Sequence, residues 1–595
     1  TLPPSDSVFG VSYHDVLIFA GVVLVALVVP FLYSRMTTEN FLTPKEFVAR
    51  ISLAFIGSVF CLRFLLEDRL RLSRSSVDLP LALFFGFSVM SLAWNYNVPS
   101  AIRDLRGTFL ILLLVPLIMN SIRKQWQFDT LLWAMLFTGL ATGTLGIMEA
   151  YNLYFRWDPS HGWVFARDEI FNGQIDYQAT YLPLFPQLAS PNYAMESIVS
   201  TFGNRNYLGT FTMFTAFVPL AFYFYYERTW MKVASLGLFG YTIMGLYVTR
   251  CRAALLGLIV GFAFMTLLLL IFDRQWRFVK RNKNFFLAVA LIGASLFLFA
   301  VTSVRTSSFM QKIQNTFTMD RSVSNTYERV WVWYATYMSF AQNPVKWLIG
   351  SGFGSYKHFF PLQEAETFDD DNKETFTPVT FRQAHNDWLQ LVSELGLIGM
   401  ALFLFLCWRF FGAIYSILKR EISDVPDGSF SGRHVVLIAL GAAMVAQMMA
   451  AVPDFPFHRI ETALYAVLML AMVPLLAESN FFTRPLPETL VKMPYETRVG
   501  FVVLALATGM LAIHFEMRCW QADELVRKSE ALLQARQTPQ MVEQAKRDLM
   551  KAISIDPLPG DPYLKMASIL ELEGKGQEAV EWANRAWKNI NFNAR

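Results

Sequence analysis

Apolar positions in this chain run in long unbroken blocks rather than in stripes. The stretch from Val16 to Leu32 holds no charged residue. Runs of about 18 residues or more recur, each long enough to cross a bilayer core as a helix. They predict spans near 14–33, 48–65, 79–95, 104–121, 129–150, 206–226, 232–249, 253–272, 284–303, 388–418, 434–452, 460–477 and 499–517. The run 388–418 is too long for one upright span, so its first turns protrude or tilt. The first run has no basic leader and reads as a span rather than a cleavable signal.

The fold class expected is all-α: a polytopic helical membrane protein of about 12–13 transmembrane helices, with a large outer loop and a C-terminal helical-repeat domain. Two long polar connections, about 151–205 and about 304–387, interrupt the spans. After the last span the pattern becomes charged and helix-periodic, which divides the chain into a membrane domain at 1–517 and a helical domain at 518–595. In the second, Ala545 and Ala579 lie 34 residues apart, as do Ala552 and Ala586. Small residues at that period, with Asp556-Pro557 closing one helix, read as a tetratricopeptide pattern. Such a module docks a protein or stabilises the chain as a cap.

Composition agrees with the pattern. Hydrophobic residues make up 54% and charged ones 16%, against about 25% charged in a soluble domain. The net charge of +4 says little, because position matters more than total. Cys61, Cys251, Cys407 and Cys519 show neither metal-ligand spacing nor a disulfide framework. With the N-terminus placed inside, the inner connections carry the cations: Arg69, Arg71 and Arg74, then Arg123 and Lys124, Arg228 and Lys232, and Arg274 through Lys283. Lys419, Arg420, Arg433, Arg484, Lys492 and Arg498 continue the series. Four arginines break it on the outer side: Arg103, Arg106, Arg250 and Arg252. Two readings stand: they receive an anionic ligand, or they reach lipid phosphates.

The chemistry concentrates in RQAHNDWLQLVSELGLIG, Arg382 to Gly399. Asp387 is the expected helix cap, with Gln390 completing a capping-box variant. His385 then sits ahead of a positive helix end, which favours the neutral ring that a general base needs. Alternatively it hydrogen-bonds a loop backbone. Glu394 lies about 13 Å further along the helix and reads as a packing group with a buried donor. Gly396 and Gly399 allow close helix approach. Gly350, Gly352 and Gly354 make a tight loop, not a dinucleotide fingerprint. The run Asp369, Asp370, Asp371 is a solvated loop or a divalent-cation site. The turn DFPFHR adds Asp454, His458 and Arg459 to the same side.

As a set, TFGNRNYLG (201–209), TRCR with Arg252, YERVWVW with Arg329, GSGFGSY and AHNDWLQLVSELGLIG resemble the O-antigen ligase and polymerase superfamily of bacterial lipid-linked glycan transferases. Cys251 replaces the usual serine of that family. The resemblance covers roughly 200–480, and a subset of the superfamily also carries a C-terminal tetratricopeptide module. It implies a membrane glycosyltransferase of the bacterial inner membrane, with its active site and C-terminal domain periplasmic. The donor it implies is a glycan on polyprenyl pyrophosphate. By position the family's catalytic groups fall on His385, Arg252 and Arg329, with Arg205, Arg250, Asn386, Asp454 and His458 as substrate-binding candidates. Transfer would invert the anomeric centre, with no metal and no cofactor. The partners are that donor, membrane lipids, and lipid A-core or another glycan or protein as acceptor; the module offers a protein a dock, and no nucleic acid is implied. Three acceptor readings stay open: ligase, polymerase of lipid-linked units, and protein O-oligosaccharyltransferase. A lipid-linked glycan transporter is the reading from a different class.

Overall fold

The computed structural model describes the chain except residues 1–6, 9–10, 67–69, 151–152, 159–161, 168–179, 182–199, 274–275, 290, 292–325, 342, 368–381, 425–428, 479–486, 535–537 and 591–595. The Asp369–Asp371 run, Arg69, Arg274, Arg484, most of both long connections and the far end of the 284–303 run lie outside the described residues. What is described is helical, as the apolar blocks require. Among the described residues ten helices are long and apolar enough to cross a membrane, and Asp78–Trp94 is a shorter apolar one. The expected 12–13 is reduced because the 79–95 run is short, most of 284–303 lies outside the described residues and the 104–121 run is broken; the 206–226 run is also broken but still counts as one span. The 104–121 run is Val98–Leu112 followed by Leu114–Ser121, and the 206–226 run is Arg205–Thr215 followed by Phe217–Tyr225. A proline stands three residues past each break, Pro116 and Pro219, where it removes a donor and crowds the preceding turn.

A single buried core gathers side chains from Ile18 to Ala512. Its centre is the pair Gly432–Ala450 and Ile460–Glu478, whose residues are apolar on nearly every side. Among the described residues three short antiparallel sheets depart from the all-helical pattern. Leu70–Ser73 pairs with Glu488–Val491, and Leu153–Asp158 pairs with Gly162–Arg167 and with Thr180–Tyr181. The third is the two-residue pair Ser7–Val8 with Val11–Ser12.

Connections sort onto two faces as the alternation of spans requires. On one face, Arg382 bonds Glu39 at 2.8 Å, Lys357 bonds Asp104 at 2.9 Å, and Asp387 N donates to Ala451 O at 2.9 Å. On the other face, Arg123 meets Glu488 and His434 meets Glu421. The last long helix, Tyr495–Gln534, runs unbroken past residue 517 onto the first face. There it packs with Pro539–Ile555, Asp561–Leu572 and Gly576–Ile590 around Val526, Leu549, Met566 and Leu570. Ala545, Ala552, Ala579 and Ala586 are all buried in this unit. Arg103 pairs with Asp556 at 2.5 Å and Arg106 with Glu516 at 2.6 Å. Arg103 therefore ties the C-terminal helices to the membrane domain, and Arg106 pairs with the last span, so both of these exceptions to the charge pattern have carboxylate partners.

The long run expected to tilt is bent. Helix Asp387–Leu418 breaks at Gly396, with φ 65° and ψ −168°. The glycine turn fills the break. Ser351 N and Gly352 N donate to Ser393 O and Glu394 O at 3.0 and 2.8 Å, so carbonyls freed at the kink keep partners. The Glu394 carboxylate in turn accepts from Gly354 N at 2.7 Å and from Tyr356 N at 3.3 Å. Both backbones pass so closely that only glycine fits. A Cβ on Gly350 would stand 2.3 Å from Glu394 C, and one on Gly396 would stand 2.3 Å from Leu348 C. Gly396→Ala is therefore expected to cost about 1–3 kcal/mol from this positive-φ, nearly glycine-only backbone conformation alone. The lowered melting temperature should be visible in thermal unfolding of the solubilised protein. An unchanged midpoint would show that the contact does not hold the turn.

Candidate active site

Five segments meet on the face that carries the C-terminal helices: the tops of Arg205–Thr215 and Arg252–Phe272, the helix Thr326–Ala341, the tract 382–387 and the turn 451–459. Arg329 lies where they join. Its Nη1 donates to Pro453 O at 2.7 Å. Its charge acts on His385, on Asp454, on Cys251 and on Arg252, and Arg252 is also within range of Arg205. Three guanidinium groups thus repel one another across one site, a field that an anion among them relieves. Arg250 closes helix Thr229–Thr249 in a left-handed conformation, φ 52°, next to Cys251.

His385 is held in an unusual backbone conformation, φ 50°. Such values are uncommon outside glycine, and histidine is among the residues that tolerate them best. The residues on both sides are pinned. Trp333 Nε1 donates to Ala384 O at 3.0 Å, and Gln390 Oε1 accepts from Ala384 N at 3.0 Å. After it, Asn386 caps the helix by accepting from Leu389 N at 3.0 Å. The cap is thus Asn386, one residue earlier than expected, which leaves the Asp387 carboxylate to bond Phe457 N and His458 instead. The expected capping box is absent for the same reason, since Gln390 turns back to Ala384. The His385 ring stands edge-on to Phe455 at 4.7 Å, and Phe455 meets Tyr207 on its other side at 5.6 Å. Burial first, then the Arg329 guanidinium, push the His385 pKa down to about 4. The helix start adds to this in the same direction.

Asp454 is buried, and burial pushes its pKa up to about 6 against the opposing pull of Arg329. Burial of Cys251 raises its thiol to about 12, so it stays protonated at neutral pH. His458 bonds Asp387 through Nδ1 at 2.5 Å. Burial disfavours its imidazolium, but Asp387 and then Glu394 outweigh that and hold its pKa above the ordinary histidine value. Arg252, Arg329, His385, Arg205 and Asp454 therefore share one electrostatic environment. Asn386 and His458 belong to the hydrogen-bonded helix start beside it.

Sequence reading missed the buried support beneath. Lys45 and Glu461, neither exposed, approach to 3.7 Å, and Arg459 reaches Glu461 at 3.2 Å. Arg459 also covers the Tyr207 ring at 4.0 Å. The available signal was the appearance of Lys45 and Glu461 at the starts of apolar runs; their pairing spans about four hundred residues and leaves no local trace. Among the described residues no group of three His, Cys, Asp or Glu side chains is placed to hold a metal ion.

An all-helical, multi-pass membrane protein with a cationic site at one face is the class these features define. The family model for O-antigen ligase matches residues 237–404. That segment carries Arg252, Arg329, the glycine turn, His385 and the Gly396 break. The match supports the O-antigen ligase superfamily, and with it a bacterial lipid-linked glycan transferase of the ligase or polymerase type. No curated protein matches the chain.

Proposed function

We propose that this protein moves a whole glycan from polyprenyl pyrophosphate to an acceptor hydroxyl, with lipid A-core as the leading acceptor. The observation that carries the reading is the position of Arg329, whose charge reaches both the neutral ring of His385 and the guanidinium of Arg252. Arg252 and Arg329 bind the diphosphate oxygens in paired fashion, with Arg205 and Arg250 as further ligands. His385 takes the proton of the acceptor hydroxyl as its oxygen attacks the anomeric carbon. The bond from that carbon to the diphosphate breaks, and polyprenyl pyrophosphate leaves with its charge held by the guanidinium groups. One displacement inverts the anomeric centre. The face that carries the site is the periplasmic face of the inner membrane, and the C-terminal unit is a tetratricopeptide module beside it.

A base with a pKa near 4 is weak, but the substrate changes it. Burial is the larger cause of that low value and the Arg329 charge the smaller; a diphosphate between Arg252 and Arg329 offsets the smaller one, so the ring becomes more basic when the donor is bound. The sign follows: the neutral ring is the active form, so activity is lost as pH falls. Complete loss of kcat/KM, which reports the free enzyme, is expected only as pH falls through about 4. The acid limb of kcat should lie at higher pH. Coincident limbs would contradict the arming of the base by the donor.

Transport is disfavoured by where the buried charges sit. The Lys45, Glu461 and Arg459 group lies at helix starts beside the site rather than at the centres of those helices. One contact favours a protein acceptor as the second reading: Arg382, three residues before His385, bonds Asp561 at the start of a module helix at 3.4 Å. Reconstitution with a lipid-linked glycan and three acceptors, lipid A-core, a second lipid-linked glycan and a pilin-like protein, tests the choice. The acceptor that gains sugar decides, and release of polyprenyl pyrophosphate in none of the three would end the proposal.

A further inference from the structure

Four polar side chains form a hydrogen-bonded network beside His385, with Gln390, Glu394 and Asp387 buried and His458 at its exposed edge. Gln390 and Glu394 are 3% and 5% exposed, so their hydrogen bonds have no water to replace them. Gln390 Oε1 accepts from Ala384 N at 3.0 Å. Its Nε2 faces Glu394 Oε1 at 3.1 Å and His458 Nε2 at 3.0 Å. His458 Nδ1 faces Asp387 Oδ1.

The orientation of this amide is determined by its partners. A backbone N–H can only donate, so the group facing Ala384 must be the oxygen. A carboxylate can only accept, so the group facing Glu394 must be the NH2. The NH2 then also faces His458 Nε2, which must accept. The ring proton of His458 is therefore on Nδ1, towards Asp387. Adding a proton at Nε2 sets two donors against each other at 3.0 Å. The amide must then turn, and its oxygen leaves Ala384 N, in the Gln383–Ala384 peptide, one peptide before the one that joins Ala384 to His385.

We propose that Gln390 is a positioning residue, which fixes the backbone ahead of His385 with its oxygen and couples that backbone to the protonation state of His458 with its nitrogen. The inference rests on the glycan-transfer reading only for what His385 does; the coupling itself is independent of it. The charged groups facing His458 are Asp387 and Glu394 from one helix and Asp104 from helix Val98–Leu112, which is paired with Lys357; Asp454 and Arg459 flank it on its own turn. Together the carboxylates favour its imidazolium, so the switch operates above the ordinary histidine range. Activity should show a partial fall at that titration, before the complete loss near pH 4.

The test is nitrogen NMR of the seven histidine rings in the full solubilised chain. The His458 and His385 signals are identified by their disappearance in His458→Asn and His385→Asn. In alkaline buffer His458 should carry its proton on Nδ1, and on acidification the His385 signal should move in step with the His458 titration. Gln390→Met, which keeps the shape and removes the amide, should abolish that step and lower kcat about tenfold with KM for the donor little changed. A proton on Nε2 of neutral His458, or a His385 signal indifferent to His458 in the wild-type chain, overturns the proposal even if Gln390→Met fails to fold. Because the ring titrations need no substrate, they stand apart from any failure to transfer glycan.

Discussion

Replacing His385 is expected to slow glycan transfer by about a hundred to ten-thousand-fold, the usual contribution of a positioned general base. The choice of replacement matters. Alanine at φ 50° carries a backbone penalty of about 1–2 kcal/mol, whereas asparagine tolerates the left-handed region. His385→Asn therefore removes the proton acceptor with less disturbance of the flanking peptides at Ala384 and Asn386. The expected result is loss of kcat in both variants, with a lower melting temperature in His385→Ala than in His385→Asn. Transfer by His385→Asn at near wild-type rate would mean that another group, with Asp454 the first candidate because its pKa of about 6 suits a base, accepts the proton.

The second large effect is expected at Arg329. Arg329→Lys keeps the charge that holds His385 neutral but loses the planar fork that matches two diphosphate oxygens. It should lower kcat by about a hundredfold, comparable to removing one donor from a preorganised anion site. Arg329→Gln removes the charge as well. Without that cation the His385 pKa should rise towards its ordinary value, and the acid limb of kcat/KM should move up with it. The pair of variants separates the two duties of Arg329. An acid limb that stays in place in Arg329→Gln would show that burial alone depresses His385.

The sequence displayed the spans plainly, because twenty apolar residues in a row have few other destinations. It also displayed tracts that meet on one face, since Arg252 and His385 stand at the edge of apolar blocks and Arg329 begins an amphipathic, aromatic-rich helix. What it hid were relations between distant positions. The Leu70–Ser73 and Glu488–Val491 ladder joins segments too short and too far apart for a periodic signal. The break at Gly396 was read only as a long run and two small residues. Its cause, the Gly350 turn lying against it, is about fifty residues upstream. Asn386 and Asp387 are both good caps, and local chemistry cannot rank them; His458, about seventy residues on, draws Asp387 away and leaves the cap to Asn386. Arg103 and Arg106 read from sequence as facing either an anionic ligand or lipid phosphates for the same reason, their carboxylate partners lying more than four hundred residues ahead.

The claim on which the account turns is that a diphosphate sits between Arg252 and Arg329, beside an uncharged His385. The direct measurement is the titration of the His385 ring in the solubilised protein, with and without saturating polyprenyl pyrophosphate. The account predicts a titration near pH 4 in the free protein that climbs towards the ordinary histidine value when the diphosphate is bound. A ring titration that the bound diphosphate leaves unmoved would contradict it.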